Sequence, residues 1–277
     1  MKLSFTTLGC PDWTLLQTAE RAAEYGFDGI ELRIGGDRHV DPTMNASERA
    51  EAAAMFRSRG IEIVSVSGYT KFTSDDKATV EDNVKQMRIN AELAHDLGAS
   101  YVRSFIGMVP ESLTFDAAVE QVAEALVRSA EEARKLGVSI LLETHDDFSS
   151  SESLDRVLTA AGRPEGLLVL WDTVHTYHCG ERPEQVVQRL GSAIRHTHFK
   201  DATESPADAK GRKYKYVLTG EGYIPIRDTV LALQTIGYDG YLSLEWEKMW
   251  HPNLEDPSIA LPHYVKYMRS LLGSLRG

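Results

Sequence analysis

The chain has 277 residues, 42% hydrophobic and 26% charged, which is ordinary globular composition and excludes a disordered or fibrous protein. With 41 acidic and 30 basic residues the formal net charge is -11, and no basic block offsets it, so general binding to nucleic-acid phosphates is excluded. A small anionic ligand held by a few local cations is still allowed.

The start, Met1-Lys2-Leu3-Ser4-Phe5, reads directly as a strand and has no signal-peptide core. Cys10 and Cys179 lack CxxC spacing, and no apolar run approaches the roughly 20 residues of a membrane span. The expectation is a soluble cytoplasmic protein with reduced thiols.

The first strand is expected at Leu3 to Leu8. From there one phrase recurs, in which a helical stretch closes on glycine and an apolar strand follows within a few residues. It appears at Gly26 before Ile30-Glu31-Leu32, at Gly60 before Ile61-Glu62-Ile63-Val64, and at Gly98 before Tyr101-Val102. It returns at Gly137 before Ile140-Leu141 and at Gly237 before Tyr241-Leu242, with looser versions at Gly166 and Gly191. Glycine past a helix end takes the left-handed conformation that stops the helix, and a short loop then starts a strand.

The remaining strands are therefore expected near 29–34, 61–67, 101–106, 139–144, 168–172, 194–199 and 241–246. Residues 76–97, 114–136 and 225–236 carry apolar positions at helical spacing, and further helices follow residues 13, 46, 150, 182 and 257. Thr114 and Ser150 are suited to be N-terminal caps. Eight alternating strand–helix units predict a parallel sheet closed into a single-domain (β/α)8 TIM barrel over residues 1–277. The alternative, an open doubly wound sheet, lacks a GxGxxG after the first strand. The longest irregular stretch is Asp201 to Pro225, with Lys210, Arg212, Lys213 and Lys215 beside Tyr214 and Tyr216. It reads either as a solvated excursion or as a lid over a polar substrate.

Four successive strands in the second half end on a metal-capable residue. They are Leu141-Leu142-Glu143, Leu170-Trp171-Asp172, His196-Thr197-His198 and Ser243-Leu244-Glu245. A buried strand normally excludes charge, because desolvating an unpaired carboxylate costs several kcal/mol or more. Strand ends about 4.8 Å apart at the C-terminal mouth of a barrel would bring these four to one point. Each alone could simply cap a helix; four in succession read as ligands. Three carboxylates and one imidazole suit Mn²⁺, Mg²⁺ or Co²⁺ and also admit Zn²⁺.

Near them, His145 and His175 could hold substrate hydroxyls, act as acid and base, or orient a ligand. Lys200 could neutralise a developing oxyanion or pair with Asp201. Glu31 and Arg33 are expected to form an internal ion pair, and Trp13 and Trp246 to serve in packing or stack on a sugar.

Leu142-Glu143-Thr144-His145, Trp171-Asp172-Thr173-Val174-His175, His196-Thr197-His198-Phe199-Lys200-Asp201, Gly220-Glu221-Gly222 and Leu244-Glu245 resemble the xylose isomerase-like TIM barrel superfamily. This sugar phosphate isomerase/epimerase group includes ketose 3-epimerases, hydroxypyruvate isomerase, inosose dehydratase and 3-dehydroshikimate dehydratase. The resemblance implies one divalent metal, commonly Mn²⁺, on Glu143, Asp172, His198 and Glu245, with the two glutamates moving protons in the epimerases. It also implies a small carbohydrate substrate and a homodimer or homotetramer.

The chemistry is coherent, since isomerising or epimerising a sugar requires removal of a proton next to a carbonyl and stabilisation of the resulting enediolate. An isomerase or epimerase is the first reading, and a lyase that expels a leaving group from the same intermediate is the alternative. The sequence lacks the further glutamate and the arginine of ketose 3-epimerases. His145 and the Trp250-His251-Pro252 loop resemble dehydratases and enzymes that eliminate aglycones from 3-oxo-glycosides. A DNA-repair endonuclease of the same superfamily would need more histidines, and a non-catalytic sugar-binding barrel would not need an intact ligand set.

Overall fold

A computed structural model describes residues 1–35, 39–208 and 211–275. Its centre is a closed barrel of eight parallel strands. They are β1 (Lys2–Thr6), β2 (Gly29–Arg33), β3 (Glu62–Ser67), β4 (Tyr101–Ser104), β5 (Ser139–Glu143), β6 (Leu167–Asp172), β7 (Ile194–Phe199) and, after a hairpin, β10 (Tyr241–Leu244). β10 hydrogen-bonds to β1 and closes the ring, with Lys2 opposite Tyr241 and Phe5 opposite Leu244. The eight-unit barrel predicted from the glycine phrase is the observed fold.

The outer layer is α1 (Leu15–Tyr25), α2 (Ala46–Arg57), α3 (Lys77–Leu97), α4 (Phe115–Lys135), α5 (Ser151–Ala160), α6 (Thr173–His178), α7 (Pro183–Leu190), α8 (Ile226–Thr235) and α9 (Pro257–Ser274). In α4 the buried positions Val119, Val122, Ala123, Leu126, Ala130 and Ala133 lie three or four residues apart, so one stripe packs on the sheet. Burial of each such Val or Leu stabilises the fold by roughly 1.5–3 kcal/mol. The expected caps are present, with Thr114 Oγ1 accepting from the Ala117 N–H at 3.2 Å and Ser150 Oγ from Ser153 at 3.1 Å. Gly26, Gly60, Gly98, Gly137 and Gly237 all have φ between +67° and +82°, the left-handed helix stop on which the strand prediction relied.

The structure differs from the sequence expectation in three places. α6 was not anticipated; it is under two turns long and is started by the Asp172 side chain. The stretch after β7 is not irregular. It folds into an antiparallel hairpin, β8 (Asp201–Glu204) with β9 (Tyr214–Val217), that buries Tyr216 and exposes Lys215. Lys210 lies outside the described residues. Strands one, four and eight end earlier than expected, so Glu245 stands one residue beyond β10. Trp246 is packed, its indole N–H donating to Glu255 O at 2.9 Å, and Trp13 is partly buried against the core. Among the described residues no helix is long and apolar enough to cross a membrane.

Candidate metal centre

Register brings the candidate ligand residues together. Asp172 on β6 lies directly beside His198 on β7, and His198 lies beside Ser243, two residues before Glu245. Glu143 closes β5 on the other side. Ligand atoms from Glu143, Asp172, His198 and Glu245 all lie within 4.8 Å of one another, and all four residues are buried. The convergence read from four strand ends is present in three dimensions.

Asp172 divides its two oxygens. Oδ1 accepts from the Val174 and His175 N–H groups at 2.9 and 3.2 Å and so caps α6. Oδ2 is buried and receives no backbone N–H; its counter-charge is the Lys200 ammonium 2.7 Å away. A carboxylate oxygen so placed fits a cation, as does the hard and borderline donor set around it. The helix-cap role and the ligand role are therefore compatible at this residue.

Lys200 is the cation the sequence under-reads. Its buried Nζ meets Asp172, Glu245 and Glu247, the last at 3.0 Å, and sits 5.5 Å from the Tyr216 ring centroid. Burial works against its charge, but Asp172 and Glu245 override it and keep the ammonium protonated far above its ordinary range. Of the two roles open to Lys200, pairing with Asp201 is not the one observed. Asp201 instead accepts N–H groups from Gly220, Gly222 and Ile224 at 2.8, 2.9 and 3.2 Å. Gly222 is required there, because a Cβ would lie 2.2 Å from both Ala202 O and Asp201 Oδ1. The Gly220-Glu221-Gly222 motif therefore ties the loop before α8 to the end of β7.

Two further buried groups, Arg103 and Glu31, complete the electrostatics. Arg103 on β4 donates from Nη1 to Glu143 Oε2 at 2.8 Å and from Nη2 to Gly68 O at 3.0 Å, and lies over the Phe105 ring. Burial alone would raise the Glu143 carboxyl, yet Arg103 holds it well below the ordinary carboxylate range. Glu245 is held down in the same sense by Lys200 and His198 against its own burial. Glu31 does not pair with Arg33. Its carboxylate is taken by His198, His196, Ser65 and Ser243 in the barrel interior.

The cluster opens to solvent past two histidines, whose side chains are 31% (His145) and 19% (His175) exposed. Their rings are 4.8 Å apart, edge to face. His175 Nε2 stands 3.6 Å from Asp172 Oδ2, and His145 Nδ1 stands 3.0 Å from Asp146 Oδ1. Asp146 adopts φ +51°, rare outside glycine, and Lys71 pairs with its other oxygen at 3.3 Å. Burial lowers the pKa of His175; at His145 burial has the same sense but Asp146 and Glu143 outweigh it and raise the pKa.

A profile of the xylose isomerase-like TIM barrel family matches residues 19–269. The chain belongs to the xylose isomerase-like TIM barrel family. It is 28% identical over 155 residues to the inosose dehydratase of Lacticaseibacillus casei, a match covering 52% of this chain and only about half (49%) of that protein. It is 22% identical to the fructoselysine 3-epimerase of Escherichia coli O157:H7 over 98% of both chains. Its fold is that of the IOLI protein solved with a bound zinc atom, with a TM-score of 0.79 at 19% identity over 96% of each chain. Relatives of this family barrel thus bear both epimerase and dehydratase names.

One pH dependence follows from the acids around Lys200 and His145. Against their burial, Glu247 is held at about 2 by Lys200 and His251, and Asp146 at about 2 by His145 and Lys71. Their unfolded values are near 4.5 and 3.8, so the native state binds fewer protons across that window. The stability they contribute is complete above pH 4.5 and is lost as pH falls towards about 2. Melting temperatures of the metal-free protein should decline between about pH 4.5 and pH 2, and less steeply in Glu247→Gln. Identical slopes for the two proteins would show that Glu247 does not contribute.

Proposed function

We propose that this protein is a divalent-metal-dependent enzyme acting on a small sugar or sugar derivative by removing a proton next to a carbonyl. The observation that supports this reading best is the buried convergence of Glu143, Asp172, His198 and Glu245 at the barrel mouth, where the Asp172 Oδ2 oxygen is countered by the Lys200 ammonium rather than by a backbone donor. Glu143, Asp172, His198 and Glu245 would hold the ion, with Mn²⁺ favoured by the donor set and Mg²⁺, Co²⁺ or Zn²⁺ admitted. When bound, such an ion supplies Lewis-acid stabilisation of negative charge developing on the substrate oxygens.

The chain's own residues account for the rest. Glu143 and Glu245 are the candidates to take and return the proton, which is isomerase or epimerase chemistry. Lys200, an ammonium at the same carboxylates, is placed to offset charge on the substrate as it forms.

The second reading is elimination, and one observation favours it. His145 and His175 stand together at the solvent side of the cluster, and Asp146 fixes the His145 ring. An imidazole so oriented can deliver a proton to a departing hydroxyl or aglycone.

Incubation of the metal-loaded enzyme in D₂O with ketoses, keto-cyclitols and 3-oxo-glycosides separates the readings. An isomerase or epimerase places deuterium on carbon and keeps every oxygen, whereas a lyase releases water or the aglycone and leaves an unsaturated product. In the lyase case His145→Asn should slow product release by about 10²–10⁴-fold while deuterium exchange continues. Neither exchange nor product on the whole panel with any of the four metals would reject both readings.

A further inference from the structure

One buried polar group beneath the ligand cluster plays no part in the proposed chemistry. The interior of a (β/α)8 barrel is ordinarily filled by branched aliphatic side chains. Here Glu31 of β2, Ser65 of β3, His196 of β7 and Ser243 of β10 meet inside it, all at 0% exposure, so water cannot solvate the carboxylate. Both of its oxygens are satisfied by protein. The Ser65 hydroxyl donates to Oε2 at 3.2 Å, the Ser243 hydroxyl donates to Oε1, and His196 Nε2 lies 2.8 Å from Oε1. The remaining approach is taken by His198, whose Nε2 is 3.2 Å from each oxygen. The other ring nitrogen of His198 faces the ligand cluster, with Nδ1 3.3 Å from Glu143 Oε1 and 3.5 Å from Glu245 Oε2.

We propose that Glu31 is a positioning residue that fixes the ring of His198, accepting Nε2–H so that the Nδ1 lone pair points at the cation held by Glu143, Asp172 and Glu245. A neutral imidazole offers a lone pair on one nitrogen only, and the hydrogen bond made by the other nitrogen decides which. A carboxylate in that place fixes both tautomer and ring orientation and strengthens the ligand. The two serines and His196 in turn hold both carboxylate oxygens, so Glu31 cannot swing up into the cluster and become a ligand itself. This inference rests on the metal-centre reading and adds the residues that orient its only imidazole.

The test uses Zn²⁺ and Co²⁺ as probes and reads binding and spectra rather than turnover. In the wild-type protein loaded with one equivalent of Zn²⁺, long-range ¹H–¹⁵N spectra should show His198 bound through Nδ1 and protonated at Nε2. Glu31→Gln keeps the size and one acceptor oxygen but loses the charge. It should weaken Zn²⁺ binding by about 10- to 100-fold and change the visible Co²⁺ spectrum, with circular dichroism unchanged. Ser243→Ala, which only loosens the carboxylate, should shift both readouts in the same direction by less.

Metal on Nε2 in the wild type would overturn the proposal without any variant. So would Glu31→Gln binding Zn²⁺ within twofold of wild type with the same Co²⁺ spectrum. Two equivalents of metal in the wild type, falling to one in Glu31→Gln, would also overturn it by making Glu31, His196 and His198 a second cation site. If the metal-centre reading itself is wrong, the wild type and Asp172→Asn will bind Zn²⁺ equally, a different result from any of these.

Discussion

Asp172→Asn should lose tight divalent-metal binding and at least about 10³ in kcat/KM, a loss of about 4 kcal/mol of transition-state stabilisation. The substitution is informative because the two oxygens of Asp172 have separate roles. Oδ1 caps α6, and asparagine is as good an N-cap as aspartate, so the Val174 and His175 N–H groups keep their acceptor. Oδ2, the buried oxygen that faces the ligand cluster and Lys200, becomes an amide nitrogen that offers no lone pair. The variant gives up one counter-charge of buried Lys200 and should lose some stability, but Glu245 and Glu247 still meet that ammonium, so it should fold, retain its circular dichroism, and fail in equilibrium dialysis with Mn²⁺ or Zn²⁺. It should also lose the gain in melting temperature that metal confers on the wild type, since a ligand stabilises only what it binds. An Asp172→Asn protein that retains metal and activity would remove Asp172 from the ligand set and leave it a helix cap.

The parts of this protein that were legible in its sequence share a physical cause. Five helix stops were marked by a glycine in the left-handed region, at Gly26, Gly60, Gly98, Gly137 and Gly237, and the strands that follow them by short apolar runs. The candidate ligands were marked by charge in places where burial forbids it without a partner. Arg103 obeys that last rule too, as an arginine inside β4, but a cation cannot ligate a metal, and a search for ligands passes over it. Glu247 lies two residues beyond Glu245, on no strand, and its partner Lys200 lies 47 residues earlier, between β7 and β8. The Glu31–Arg33 pairing failed because neighbours along one strand face compete with residues across the barrel. His196 and His198, far away in sequence, reach the Glu31 carboxylate through register alone. The hairpin after β7 was hidden because Tyr214-Lys215-Tyr216-Val217 alternates over only four residues, too short a stretch to outweigh the charged positions around it.

Arg103→Leu should be among the most destabilising single changes in the molecule, because it orphans an acid. Arg103 and Glu143 have side chains only 5% and 1% exposed, and their 2.8 Å contact is the main compensation for burying the Glu143 charge. Removing one member of such a pair typically costs about 3–5 kcal/mol, since the other is left charged in a medium that cannot solvate it. For a chain of this length that corresponds to a fall in melting temperature of about 2–4 °C per kcal/mol. The Gly68 carbonyl loses its donor as well, so not all of the cost belongs to the pair. A double-mutant cycle with Glu143→Gln isolates the pair, because the amide needs no counter-charge. Arg103→Leu should cost clearly less in the Glu143→Gln background, with a coupling of about 1–3 kcal/mol by urea denaturation of the metal-free proteins. Additive effects would show that Arg103 matters through packing over Phe105 and its Gly68 bond rather than through Glu143. Metal then distinguishes compensation from simple packing, because a bound cation would give Glu143 a second counter-charge. Saturating Mn²⁺ should therefore recover more stability in Arg103→Leu than it adds to the wild type, and an equal or smaller gain would mean that Arg103 is needed to build the ligand set itself.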